Sequence, residues 1–404
     1  MSNQMKRRIL LALGIVFVAF NLRPAITSVG PLIGWIRADL DISNGTAGFL
    51  TTLPLIAFAL LSLAAPQLSR RWGSEPTIFA GLIILASGIL VRSTGTIPGA
   101  FLGTSLVGVG IAIGNVLLPA IVKEKFSEKV GLMTSIYTTS MASFAAVGSG
   151  VSIPLAEKLH LGWKGSLAFW IVFAMAAIFI WLPQLKRHHK KSTVQPVAIA
   201  TGQGSLWRSP LAWQVTFFMG LQSFLFYCTV AWLPAILQIQ GINEALAGWL
   251  VSIMQFIGLP ATFMTPVLAN RLPHQKGIAM IIGIIQLAGI LGLFVSNMFI
   301  LIISIVLNGI AQGASISLAL AFLGMRTTNA GEAARLSGMS QSVGYVLAAI
   351  GPLLLGFLFD WTQSWDSSLV VLSLVTILMT FAGIGAGRRG YVLSSTNERI
   401  WQPD

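Results

Sequence analysis

Arg23 is the residue around which chemistry can be built. It stands in an apolar stretch, 15 residues beyond Arg8 and 12 before Trp35. At 1.5 Å per residue it lies roughly 22 Å and 18 Å from those two anchors, close to the middle of a helix long enough to cross a membrane. A guanidinium at that depth costs about 2.5 to 3.5 kcal/mol unless it faces a partner or water. Its planar fork of N–H donors suits an anionic or strongly dipolar solute. The architectural alternative is that Arg23 bonds backbone carbonyls and fixes packing.

Other polar side chains fall inside apolar runs and extend the candidate set. Asn21 and Thr27 flank Arg23, with Thr27 one helical turn away, and Asn115 follows a glycine-rich stretch. Tyr137, Gln222, Tyr227 and Gln255 lie in further runs. Asn308 with Gln312, and Gln341 with Tyr345, are spaced four residues apart and so share a helix face. Each is a candidate solute ligand, although such residues also bond helices to one another.

The missing groups exclude other chemistries. The twelve acidic residues fall in loops or at the ends of apolar runs, so the buried carboxylate relay of many proton-coupled proteins is absent. His160, His188, His189 and His274 sit in loops or at helix ends, and no grouping of Ser, His and Asp or of metal ligands is visible. No G-x-x-x-x-G-K-[ST] sequence occurs, so ATP is not indicated. Cys228, the sole cysteine, lies in an apolar run and has no disulfide partner within the chain. Neither an enzyme nor a cofactor is expected.

The elements that must hold these residues follow from composition. Of 404 residues, 55% are hydrophobic and 9% charged, and the mean hydropathy is +0.82. Runs of about 20 apolar residues, enough to cross a hydrocarbon layer of about 30 Å, recur along nearly the whole chain. Twelve spans are expected near 9–34, 46–68, 76–94, 98–122, 131–155, 166–183, 211–237, 246–269, 277–296, 298–324, 335–359 and 367–387. The first follows a basic stretch, as a signal peptide would, but it is longer than such a segment and lacks a clean small-residue cleavage site.

Charge orients the spans. With the amino terminus inside, 20 of the 25 Lys and Arg residues fall on the cytoplasmic side, only Arg37, Arg92, Lys158 and Lys164 fall outside, and Arg23 alone is within a span. This is the positive-inside pattern and places both termini in the cytoplasm of a multi-pass inner (plasma) membrane protein. The formal charge of +13 is thus topology and not a nucleic-acid footprint.

A basic stretch with KRHHKK divides the chain into residues 1–183, a cytoplasmic linker 184–209, and residues 210–404. Ala47, Gly48, Leu50, Pro66, Leu68 and Arg71 recur 200 residues later as Ala247, Gly248, Leu250, Pro266, Leu268 and Arg271, and GIAIG at 110–114 recurs as GIAQG at 309–313. The expectation is an all-α membrane protein, two six-helix bundles related by a pseudo-twofold along the membrane normal. Glycines such as Gly103, Gly108, Gly110 and Gly114 make smooth helix faces for close packing.

PQLSRRWG at 66–73 resembles a degenerate form of the loop signature of the major facilitator superfamily, with Arg70 where that signature has Asp and Ser74 and Glu75 in place of its closing basic pair. NLRPAITSVGPL at 21–32, with Arg92 and Pro119, resembles the cyanate and 2-nitroimidazole permease branch of that superfamily. The resemblance implies a monomeric transporter that moves a small anionic or polar solute by alternating access, secondary active or facilitative, with Asn21, Arg23, Pro24 and Thr27 at the matched positions. Protons are a candidate coupling ion, and membrane lipid is the surrounding partner. An exporter of drugs or neutral aromatic compounds, with Phe224, Phe226, Tyr227 and Trp232 lining a pocket, is the nearest alternative, and a transporter-like solute receptor is the alternative of another class.

Overall fold

A computed structural model of the chain describes residues 3–126, 130–185, 205–328 and 330–393. Most of the expected linker, residues 186–204, lies outside them. The described chain is helical, with no β-strand among these residues. Twelve of its helical segments are long and apolar enough to cross a membrane.

The first span is not one helix. It is built from α1 (Asn3–Ala19), α2 (Pro24–Thr27) and α3 (Val29–Leu40). Pro24 cannot donate to the carbonyl of Phe20, and Pro31 cannot donate to that of Thr27, so two prolines seven residues apart open the ladder twice. This double break departs from the continuous span expected for 9–34.

The remaining spans follow the expected order with ends shifted by a few residues. They are α4 (Asn44–Trp72), α5 (Ser74–Arg92), α6 (Ile97–Lys125), α7 (Val130–Glu157), and the pair α8 (Gly162–Ala168) and α9 (Ile171–Leu185). Then come α10 (Pro210–Ile239), α11 (Glu244–Arg271), α12 (Lys276–Leu291), α13 (Met298–Met325), α14 (Ala330–Thr362) and α15 (Asp366–Ala386). Polar caps set several starts: Ser43, Thr96, Ser209 and Asn243 each accept a backbone N–H of the first turn they precede. Many large apolar side chains, including Leu60, Phe179, Phe299 and Phe381, remain exposed on the outside of the helix array, as lipid-facing positions require.

With twelve crossings the start of α1 and the end of α15 share one side of the molecule, here the terminal side; the opposite one is the far side. Two packed seams join the first and second halves, α4 against α14 and α7 against α11. Gly48 lies so close to the Pro352 carbonyl, and Gly30 to that of Val230, that a Cβ at either position would overlap it. The glycines repeated 200 residues apart, Gly48 and Gly248, both serve such a contact, since Gly248 packs on the carbonyl of Ser149.

The candidate solute site

Arg23 stands at the first break, in the non-helical position before Pro24 with φ of −130° and ψ of −43°. Its side chain is half-buried. Nη1 donates to the Tyr227 hydroxyl at 3.2 Å, and the guanidinium carbon lies 5.3 Å from the Phe226 ring centre and 5.8 Å from that of Tyr227. Both rings come from α10, so the first half supplies the charge and the second the aromatic wall. Tyr345 on α14 packs against the apolar cluster that contains Tyr227 and meets Phe58 of α4 edge to face, ring centres 5.3 Å apart. Among the described residues no carboxylate pairs with Arg23. A guanidinium has five N–H donors, and Tyr227 takes one. A guanidinium fork can bind the edge of a planar polar group while aromatic rings cover its face.

Arg23, Tyr227 and Tyr345 are therefore brought together. Asn115 is half-buried on α6 beside Gly114, where that helix packs against Leu22, so it borders the same break. Gln312 donates from α13 to Thr229 on α10 at 3.1 Å, two residues beyond Tyr227. The other candidates engage neighbours elsewhere. Asn21 donates to the carbonyls of Phe17 and Phe173 at 2.8 and 3.1 Å, and Thr27 to that of Ala145 at 2.7 Å. Both brace the broken span; Thr27, one helical turn from Arg23 with its N–H on the Arg23 carbonyl at 3.0 Å, is itself buried. Asn308 accepts from Gln286 of α12 at 2.6 Å. Gln222 bonds within its own helix to the Met219 carbonyl and to Ser223. Gln341 does likewise to Ser337. Gln255 crosses the seam to Ser149 at 3.0 Å. Tyr137, by contrast, lies in the same apolar cluster as Tyr227. Among the alternative pocket residues Trp232 is fully buried, donating to the Pro352 carbonyl at 2.8 Å, with its ring tilted 43° to that of Trp365 at 5.1 Å.

Three features were missed in the sequence. The double break had a signal in Pro24 and Pro31. Arg92, expected in the outer charge set, is instead 1% exposed and donates to the Ala25 carbonyl at 2.5 Å. The far-side closure had no sequence signal, because it joins residues from opposite halves. There Asp360 at the end of α14 accepts from the Asn44 N–H at 3.0 Å, Asn44 Nδ2 at 2.8 Å and the Gly45 N–H at 2.6 Å, so a carboxylate from one half caps the N-terminus of α4 in the other. Trp35 Nε1 donates to Glu244 at 2.5 Å, and Thr52 donates to the Ala349 carbonyl at 2.7 Å. All of these lie beyond Arg23 toward the far side. A hollow on the far surface, lined by Trp35, Asp39, Trp163, Lys164 and Glu244, shares the Trp35–Glu244 pair with this closure.

A family model described as Major Facilitator Superfamily matches residues 9–290 and again 241–398. The chain is 52% identical to the uncharacterized transporter YycB of Bacillus subtilis (strain 168), covering 96% of this chain and 95% of that one. It is 39% identical to a 2-nitroimidazole transporter of Escherichia coli (strain K12), over 95% of this chain and 96% of the other. With the cyanate transport protein CynX of the same organism it shares 25% identity over 92% and 96%. The fold matches a bacterial homolog of the human lysosomal transporter Spinster with a TM-score of 0.77 at 14% identity, covering 96% of this chain and 98% of that one.

Proposed function

Because this chain belongs to the Major Facilitator Superfamily, and so is a multi-pass membrane transporter of small solutes and not an enzyme, we propose that it carries a small planar anionic or polar solute by alternating access, held at Arg23. The observation that carries this reading is a half-buried guanidinium at a helix break, faced by Phe226 and Tyr227 from the other half and lacking an acidic partner among the described residues. A charge in that position asks for a counter-charge, and a monovalent anion would let the loaded site change its access with less net charge in low dielectric.

The far-side seal supports the other half of the reading. With the terminal side taken as cytoplasmic, as the positive-inside distribution suggests, these contacts are the outer closure of an alternating-access cycle. Opening it outward means withdrawing Asp360 from α4 and Glu244 from Trp35. Accumulating an anion against a negative interior costs about 2.3 kcal/mol per 100 mV, so concentrative uptake requires cotransport or exchange.

A neutral nitroaromatic is a second solute class, favoured by the Phe226 and Tyr227 rings and by the 2-nitroimidazole transporter relative. Uptake of labelled cyanate and of 2-nitroimidazole into proteoliposomes separates the two. Arg23→Ala is expected to abolish saturable cyanate uptake, with Arg23→Lys retaining a fraction. Cyanate uptake at the unsubstituted rate and affinity in Arg23→Ala would overturn the site.

A further inference from the structure

We infer that Arg92 is a positioning residue for transport: by holding the Ala25 carbonyl it fixes the second bend of the first span and so aims Arg23. The inference rests on the reading of Arg23 as the solute-binding group.

The reason begins with the backbone. α2 ends at Thr27 and α3 begins at Val29, so the helical ladder is interrupted at Ser28. A helix stopped in this way leaves carbonyls that its own next turn cannot satisfy. Two of them are met by side chains from other spans: Ala25 by Arg92 of α5 at 2.5 Å, and Thr27 by Ser149 of α7 at 3.2 Å. Between the two breaks lie only Arg23 and one helical turn. Whatever holds Ala25 therefore sets the direction of the guanidinium two residues earlier.

Arg92 is itself held firmly. Its backbone lies against Gly103 of α6, where a Cβ would overlap the Arg92 nitrogen and approach its Cα and Cβ. The α5–α6 pair is thus a platform from which one long side chain reaches the first span. Being at the last turn of α5, the cation also faces the favourable end of that helix dipole.

The choice of residue is what points beyond packing. Ser149 shows that a small neutral donor suffices for a loose carbonyl in this segment. Arg92 is nearly sealed from solvent, and its Nε and Nη2 are buried without partners. Keeping a charge there is expensive by comparison with a neutral donor. What arginine adds is a rigid planar fork with a reach that Ser, Thr or Asn lack, matching the span from the α5–α6 platform to a carbonyl of the short helix α2.

The test uses the full-length protein in proteoliposomes, with labelled cyanate and 2-nitroimidazole as probes and hydrogen exchange of residues 20–30 as a solute-independent readout. Arg92→Gln is expected to speed exchange in that segment about tenfold without speeding it in α12 and α15. It is also expected to weaken the apparent affinity for the transported probe about tenfold while the maximal rate at saturation changes less than about twofold. In an Arg23→Lys background the affinity loss should shrink to less than about twofold, since a residue that acts through Arg23 loses its effect when Arg23 is altered. Should Arg92→Gln fail to insert, Arg92→Lys is read the same way with about a threefold effect. Unchanged exchange in 20–30, or an affinity loss that is equal in both backgrounds, overturns the inference. If Arg23→Lys weakens binding and Arg92→Gln does not, only the positioning role fails; if both are silent, the reading of Arg23 itself has failed.

Discussion

Two arginines sit inside this membrane protein without a carboxylate beside them among the described residues, and their surroundings are opposite. Arg23 is half-buried at a helix break, shared between a phenol and two ring faces from the other half of the chain. Arg92 is sealed within the first half, and the partner it has is a backbone carbonyl. On the proposed reading the same side chain has two roles: at Arg23 its donors hold the solute, and at Arg92, where they meet backbone, they shape the path of the chain.

That contrast can be broken most forcefully at Arg23. Arg23→Ala should lower the uptake efficiency of an anionic probe about a hundredfold, as loss of a charge-assisted contact does, while the melting temperature in detergent stays near that of the unsubstituted protein. Arg92→Met should do the reverse in kind. It leaves the Ala25 carbonyl unpaired at a cost of about 1 to 3 kcal/mol, read as a lower melting temperature. Equal thermal effects at the two sites would erase the distinction.

Two further changes probe the surroundings of Arg23 and the far-side closure. Asp360→Asn removes the charged acceptor that caps α4 and should shift the resting population away from far-side closure by about 1 to 2 kcal/mol. Spin labels at Lys158 and Gln363, in a Cys228→Ser background, should then report longer far-side distances. Phe226→Leu removes a ring face from Arg23 and should weaken aromatic probes about threefold, from a cation–ring contact of about 0.5 to 1 kcal/mol, and cyanate less. The smallest effect is expected at Asp39. Hydrogen bonds from Lys164 and Trp163 hold its carboxyl below the usual carboxylate range, so its contribution is present at neutral pH and lost as pH falls through that lowered value. The pair is exposed, and Asp39→Asn should leave the melting temperature at pH 7 unchanged.

Much of the architecture was legible because lipid imposes simple rules. Long apolar runs, their punctuation and the chain-wide resemblance led to twelve helices of the right order. Arg23 was legible for the same reason, since one charge in an apolar run needs a cause. The fate of the uncharged polar residues was not. Asn21, Thr27 and Asn308 look like Asn115 in sequence, yet they bond neighbouring helices, and only the packing tells a helix-bonding amide from one that borders the site. Arg92 was read from its place near the end of a run as an outer cation, because sequence spacing does not show that Gly103 draws α6 onto it. The far-side seal depends on pairs such as Asn44 with Asp360, 316 residues apart, and no local pattern marks them.

The central claim is that Arg23 holds the solute, and equilibrium binding tests it most directly. Labelled cyanate and 2-nitroimidazole would be titrated against the purified protein in nanodiscs, as the unsubstituted chain, Arg23→Lys and Arg23→Gln. The account predicts that the transported probe binds the unsubstituted protein best, Arg23→Lys more weakly and Arg23→Gln not measurably, with all three equally folded. A probe that is bound equally well by the unsubstituted protein and Arg23→Gln would contradict it.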